Sequence, residues 1–228
     1  MHGARRGFLV KSQLSPLQEE ILQAFFKRDD RFFLSGGAAL AGFHLGHRRT
    51  ADLDIFTIVT TSNILDEADA ALRAVARDLS ATVENEQTTP EFRRRLVRRG
   101  ADRVKVDLVV ERVPQIFPAK LRKGDVLVDP PEEILANKLC TLLSRSEIRD
   151  LVDVYALERA GYSIESALPH AIRKEGGLTP ANLAWVLSDI QIGDDASLPG
   201  GVAVTELRAF IESLISRLTR LAHPEAPT

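Results

Sequence analysis

The sequence predicts an α+β fold in which residues 1–129 mix strands with helices and residues 130–228 are helical throughout. In the first part, short β-rich segments alternate with helical patterns. Over residues 103–111, apolar residues alternate with charged ones, which is typical of a strand with one face in the core. After Pro130 only helical periodicity is found. This order indicates an α+β domain joined to a helical bundle near residues 129–131.

The composition limits the classes of function. The chain has 228 residues, 44% hydrophobic and 27% charged, with a formal net charge of −2. These values exclude a disordered or fibrous chain. The single cysteine, Cys140, excludes a disulfide framework and a multi-cysteine zinc site. Because no apolar run reaches the ~18–20 residues of a membrane span and no signal-peptide pattern opens the chain, we expect a cytoplasmic protein without a membrane partner.

Local patterns justify each element. A helix begins at Pro16, because Ser15 and Gln18 can form a capping box around a proline at the first helical position. Residues 32–34 form a short apolar run typical of a buried strand, and a Ser-Gly-Gly turn at 35–37 ends it. The remaining predicted elements are a helix over 38–45, a strand over 53–59, a helix over 64–79, strands over 81–86, 92–98 and 103–111, and helices over 131–144, 147–160, 164–174, 180–192 and 204–221.

The first candidate site is the carboxylate pair Asp52 and Asp54. On a strand, residues two apart point to the same face, so the two carboxylates would repel each other unless a cation lies between them. Hard oxygen ligands are those that Mg²⁺ prefers. An Asp-x-Asp pattern is also common on solvated surfaces, but here an apolar strand, residues 55–59, follows it directly.

Two further features support a site for a phosphate-bearing ligand. Gly36 and Gly37 lie between a buried strand and a helix, where the backbone can approach a ligand closely and helical N–H groups can face phosphate. Asp107 lies on the less apolar face of its strand. It is either a solvent-facing residue on an edge strand or a third carboxylate that completes a metal site and accepts a proton from an attacking hydroxyl. In the second case three carboxylates would hold two Mg²⁺ ions.

The motifs resemble a known family. Residues 34–41 (Leu-Ser-Gly-Gly-Ala-Ala-Leu-Ala) and 47–56 (His-Arg-Arg-Thr-Ala-Asp-Leu-Asp-Ile-Phe) resemble the signature of the AbiEii/AbiGii toxin family, within the DNA polymerase β-like nucleotidyltransferase superfamily. Residues 133–139 resemble its conserved-lysine helix, and residues 149–157 resemble its R-D-x-x-D-x-x-x-L helix. The resemblance covers residues 32–160 in four ordered blocks.

The resemblance implies a nucleotidyltransferase-type mixed sheet and a role for each matched position. Gly36 and Gly37, with Ser35, would cradle the nucleotide phosphates. The positive charge of Arg48 and Arg49, apart from the resemblance, predicts contact with the nucleotide or RNA phosphates. The implied metal ligands are Asp52, Asp54 and, less regularly in this family, Asp107. The implied catalytic or supporting residues also include Lys138, which would contact the triphosphate, and Asp150 and Asp153 on the facing helix. Asp150 and Asp153 are i,i+3 neighbours of like charge, and Lys138 is the natural cation to lie between them.

The resemblance further implies an NTP substrate, a cognate antitoxin as partner and RNA, such as tRNA, as the acceptor. Five arginines in a chain of net charge −2 form its strongest positive concentration, and we expect them to contact RNA phosphates: Arg93, Arg94, Arg95, Arg98 and Arg99. On a strand, alternate arginines would point to opposite sides, and solvated faces often carry such runs. Two other functions stay open, a small-molecule nucleotidyltransferase of the aminoglycoside-modifying kind and a non-catalytic nucleotide-binding interaction protein.

Overall fold

A mixed sheet organises the first half of the chain, as the sequence predicts. The computed structural model describes residues 11–223. The strands are β1 (Phe33–Ser35), β2 (Asp52–Thr57), β3 (Thr82–Thr89), β4 (Phe92–Arg99), β5 (Asp102–Val110), β6 (Leu121–Lys123) and β7 (Val126–Val128). They form one sheet in the order β3-β4-β5-β2-β1-β7-β6. The pairs β2–β5 and β1–β7 are parallel, and the other pairs are antiparallel.

Among residues 11–223, eight α-helices accompany the sheet, and the last five follow one another without a strand between them. They are α1 (Pro16–Phe26), α2 (Gly36–Ala39), α3 (Ile64–Asp78), α4 (Pro131–Ser144), α5 (Ile148–Arg159), α6 (Ile164–Lys174), α7 (Pro180–Ser188) and α8 (Val204–Ala222). The capping box predicted at Ser15 is present, with hydrogen bonds in both directions between Ser15 and Gln18. Within residues 11–223, no helix has both the length and the apolar character needed to cross a membrane.

Strand alternation separates the core from the polar face of the sheet. In β2, Leu53, Ile55 and Thr57 are buried, whereas the residues between them are only half-buried. Helices α1 and α3 pack on the core face, where both contact β5 and where α3 also contacts β3 and β4. The opposite face therefore carries the acidic side chains of β2 and β5, and α4 and α5 bring their charged residues to the same side.

The observed elements differ from the predicted ones in several places. Helix α7 ends at Ser188 rather than residue 192, α2 begins at Gly36 rather than residue 38, and β2 ends at Thr57 rather than residue 59. Strand β3 continues to Thr89 rather than residue 86, because its tight turn to β4 lies only at residues 90–91. The hairpin of β6 and β7 was not predicted, since each strand has only three residues and β6 is charged and exposed. Residues 40–44, predicted as α-helix, form a π-helical turn that continues α2.

A continuous hydrophobic core joins the two halves of the chain. It includes Leu34 and Ile55 from the sheet together with Leu139 from α4 and Leu151 from α5. The division into domains 1–129 and 130–228 therefore stays a prediction, and its outer limits, residues 1–10 and 224–228, lie outside the described residues.

Candidate active site

Four polar side chains lie in one row across four neighbouring strands. Ser35 of β1 is paired in register with Asp54 of β2, and Asp54 is paired with Asp107 of β5. On its other side, Asp107 is paired with Arg94 of β4. Because registered residues of neighbouring strands point to the same face, strand pairing alone brings together residues separated by up to 72 positions in sequence. Strand register therefore places Asp107 next to Asp54, and the role of Asp107 as a metal ligand or proton acceptor stays a prediction.

The backbone of Gly36 lies close to the carboxylate of Asp54. Gly36 has a positive φ of +62°, and a Cβ atom on it would be 2.7 Å from Asp54 Oδ2. A side chain at position 36 would therefore collide with this carboxylate. Burial, followed by the charge of Asp107, raises the pKa of Asp54 to about 6. The geometry explains why a glycine stands at position 36, and it leaves a half-buried carboxylate with excess negative charge around it.

Asp107 and Asp52 differ in how closely cations compensate their negative charge. Asp107 accepts hydrogen bonds from Arg94, with Nε at 2.8 Å from Oδ1 and Nη2 at 2.6 Å from Oδ2. Asp52 has two distant cations, Lys105 Nζ at 3.9 Å and Arg149 Nη1 at 3.6 Å. The pairing of Asp107 is bidentate and tight, whereas that of Asp52 is loose.

Beside this row, Lys138 lies between Asp150 and Asp153 as predicted. Its Nζ is 2.6 Å from Asp150 Oδ1 and 2.6 Å from Asp153 Oδ2. Both aspartates are fully buried, and Arg145 Nε donates to Asp150 over 3.0 Å. Two like charges on one helix face are thus compensated by the lysine that the sequence placed between them.

Asp153 also fixes the segment that leads into β2. Arg48 donates to it through Nε at 2.6 Å and Nη2 at 2.8 Å, and His47 Nε2 lies 2.8 Å from Oδ1. Burial alone would raise the pKa of Asp153, but the hydrogen bonds from His47 and Arg48 and the charge of Lys138 hold it well below its usual range. A Cβ on Gly37 would be 2.8 Å from Arg48 Nη2, so this glycine makes room for the guanidinium.

The two arginines predicted to contact a nucleotide therefore lie in different places. Arg48 is buried in the ion-pair network under the site. Arg49 is exposed and lines a separate pocket with Ser15 and Gln18. Neither position tests nucleotide binding, which stays a prediction for both residues.

A pocket of about 360 Å³ opens next to the carboxylate row. Its lining includes Ser35, Gly36 and Asp54, and Lys138 from α4. Lys174 and Glu175, at the end of α6, also line the pocket. These two residues were not predicted, because they lie beyond the four sequence blocks and their only signal is a charged helix end.

The five arginines of β4 each have a carboxylate partner. Three of them reach helices on the core face of the sheet, where Arg93 pairs with Asp66, Arg95 with Asp69, and Arg99 with Glu20. The other two lie on the pocket face, where Arg98 pairs with Glu84 and Arg94 with Asp107. Their positive charge is therefore compensated within the protein, and their contact with RNA stays a prediction.

The donor set fits a divalent cation bound partly by a ligand's phosphates. Among residues 11–223, no three His, Cys, Asp or Glu side chains are arranged to hold a metal ion by themselves. Mg²⁺, however, is usually bound by one or two carboxylates together with substrate phosphates and water. Asp52 and Asp54 lie two residues apart on the face of β2 that borders the pocket, and the space beside Asp54 exists because Gly36 lacks a Cβ.

Comparison with known proteins points in the same direction. The sequence profile described as "Nucleotidyl transferase AbiEii toxin, Type IV TA system" matches residues 20–218. The crystal structure of JHP933 from Helicobacter pylori superposes with a TM-score of 0.55 at 20% identity, covering 92% of this chain and 97% of that one. MenT4, a nucleotidyltransferase toxin from Mycobacterium tuberculosis, gives 0.59 at 17% identity, covering 89% and 82%. No curated protein sequence matches.

Proposed function

This chain belongs to the AbiEii nucleotidyl transferase toxin family, and we propose that it transfers a nucleoside monophosphate from an NTP to an RNA hydroxyl with the help of a divalent cation. The observation that carries the proposal is the row of Ser35, Asp54 and Asp107, of which Ser35 and Asp54 line a pocket of about 360 Å³ together with Lys138. We expect the reaction in the cytoplasm and a cognate antitoxin as the protein partner of this toxin.

The proposed reaction forms one bond and breaks one. The acceptor hydroxyl oxygen attacks the α-phosphorus, the bond from that phosphorus to the bridging oxygen breaks, and pyrophosphate leaves. Asp107 is our candidate to accept the hydroxyl proton, because it is the carboxylate next to Asp54 in the row. Ser35 and the Gly36 backbone face the same pocket and would position the phosphates.

Asp52 and Asp54 would hold the divalent cation, which we propose to be Mg²⁺. When bound, such an ion neutralises charge on the phosphate oxygens and favours in-line displacement. The carboxylates themselves gain from it, since burial and then the charge of Asp107 raise the pKa of Asp54 to about 6. The long contacts of Asp52 with Lys105 and Arg149 leave its oxygens available.

Lys138 would supply a fixed positive charge next to the triphosphate. Its ammonium is held by two fully buried aspartates, so its position changes little when a ligand enters. Asp150 and Asp153 themselves are shielded from the pocket and act as positioning residues. A preorganised charge of this kind stabilises developing negative charge without reorganisation during the reaction.

An extended, negatively charged acceptor suits the mouth of the site better than a small molecule. Three cationic side chains that are about a third to a half exposed lie close to it: Arg145 lines the pocket, and Lys105 and Arg149 lie next to Asp52. Long side chains with partial exposure can exchange their intramolecular partners for phosphates. These three cations, rather than the arginines of β4, support RNA as the acceptor.

The test is transfer of α-³²P-labelled NTPs by the full-length chain. Each of the four NTPs is offered with purified tRNA, with total RNA, and with a panel of aminoglycosides, and Asp54→Asn serves as the inactive control. We expect label on RNA with the wild-type chain only. Label confined to small molecules would overturn the RNA acceptor and support an aminoglycoside-type enzyme. If no acceptor is labelled and toxicity survives Asp54→Asn, the chain is a non-catalytic interaction protein.

Gly36→Ala should separate backbone strain from damage to the site. Gly36 and Gly124 both have φ of +62°, but a Cβ meets Asp54 only at Gly36, and nothing lies within 4 Å at Gly124. Each substitution should cost about 1–2 kcal/mol in urea unfolding because of left-handed strain. Only Gly36→Ala should also lower nucleotide transfer, by about tenfold or more, since a displaced carboxylate loses at least ~1.4 kcal/mol of transition-state stabilisation. Equal activity in the two variants would contradict the proposed role of Asp54.

A further inference from the structure

Arg94 forms a bidentate ion pair with Asp107, and this pairing limits how many cations the site can hold. The guanidinium binds both carboxylate oxygens at 2.8 and 2.6 Å. Asp107 is only 5% exposed, so water cannot easily replace this partner. A bidentate arginine–carboxylate pair is the strongest form of such contact and fixes the plane of the carboxylate.

The three carboxylates are therefore unequal as metal ligands. Asp52 faces cations at 3.6 and 3.9 Å that are partly exposed, and these can move away at little cost. Asp54 lines the pocket directly. Asp107 would have to give up Arg94, or accept a dication next to a guanidinium that keeps its charge at every accessible pH.

The position of the Arg94 guanidinium also argues against a second dication. Three carboxylates, those of Asp52, Asp54 and Asp107, are matched by three cations. These cations are Arg94, Lys105 and Arg149. A second dication on Asp107 would face the Arg94 guanidinium, which is paired with Asp107 within the same row of side chains.

We propose that the site holds one divalent cation, on Asp52 and Asp54, and that Arg94 takes the place on Asp107 that a second cation would need. The inference rests on the proposed function and replaces the two ions expected from the sequence with one ion and one guanidinium. Arg94 is then a positioning residue for Asp107, which it holds in one orientation on the acceptor side of the site.

The experiment counts Mn²⁺ ions by electron paramagnetic resonance. The full-length chain is saturated with an NTP analogue whose α,β-bridge is a methylene group, so that no transfer occurs, and Mn²⁺ is titrated. Two Mn²⁺ ions about 3.5–4 Å apart, as in two-metal sites, couple magnetically, whereas a single ion gives an isolated six-line spectrum. We expect one uncoupled ion per chain in the wild type and a second, coupled ion in Arg94→Met.

Arg98→Met is the matched control, because Arg98 lies on the same strand and face but pairs with Glu84. It should keep one ion. Two coupled ions in the wild type would overturn the inference and leave the proposed function intact. Because this count uses the wild-type chain, it tests the inference even if Arg94→Met does not fold. One ion in a folded Arg94→Met would overturn the role of Arg94. A chain that binds neither Mn²⁺ nor nucleotide would overturn the proposed function as well.

Discussion

Asp54→Asn is expected to lower nucleotide transfer by about 10³-fold or more, while the folded state stays at least as stable as in the wild type. A ligand to the cation contributes several kcal/mol to the transition state, and each ~1.4 kcal/mol is a factor of ten in rate. Stability should move the other way. Burial and the charge of Asp107 raise the pKa of Asp54 to about 6 in the folded chain, above its value in the unfolded chain. Ionised Asp54 therefore costs stability above pH 6, and asparagine removes that cost.

The measurement pairs initial rates of NTP transfer with thermal unfolding at pH 7.5. Asp102→Asn is the matched control, because Asp102 is exposed at the start of β5 and far along the strand from the carboxylate row. It should retain both activity and stability. A residual rate above one tenth in Asp54→Asn would show that this carboxylate does not hold the cation. A large drop in melting temperature would show that the charge of Asp54 is better compensated than the described contacts indicate.

Features of the site that depend on a few neighbouring residues were predictable from the sequence. The common face of Asp52 and Asp54 follows from the period of a strand alone, and the structure confirms it. The cation between Asp150 and Asp153 was predicted because two like charges on one helix turn need compensation, and Lys138 was the candidate in the neighbouring helix. Both predictions use rules that operate over a few residues.

Strand register and helix packing, which decide which other side chains reach the site, were not predictable from the sequence. Nothing in the arginine run distinguishes Arg94 from its neighbours, and only the register of β4 against β5 places it opposite Asp107. The same register sends Arg93, Arg95 and Arg99 to helices on the other face. The contribution of α6 to the pocket depends on how the helices pack, which periodicity does not report.

Asp153→Asn should destabilise the chain by about 3–5 kcal/mol, the largest stability effect we expect of a single substitution. Asp153 is fully buried and binds His47, Arg48 and Lys138. Removing its charge leaves two buried cations without a full partner, and an uncompensated buried charge costs far more than a surface ion pair contributes. Loss of the contacts of Asp153 with His47 and Arg48 also releases the segment before β2, which carries Asp52 and Asp54. Nucleotide transfer should therefore fall together with stability.

Urea unfolding at pH 7 measures this loss, and Asp194→Asn is its control. Asp194 also pairs with an arginine, Arg208 at 2.6 Å, but its side chain is 93% exposed, so the change should stay below about 1 kcal/mol. The pH dependence gives a second check. Because the folded chain holds the pKa of Asp153 well below its ordinary value, the stabilisation is complete above about pH 4 and is lost as the pH falls further. The gap between wild type and Asp153→Asn should therefore narrow below pH 4. A gap that does not depend on pH would assign the effect to packing rather than to charge.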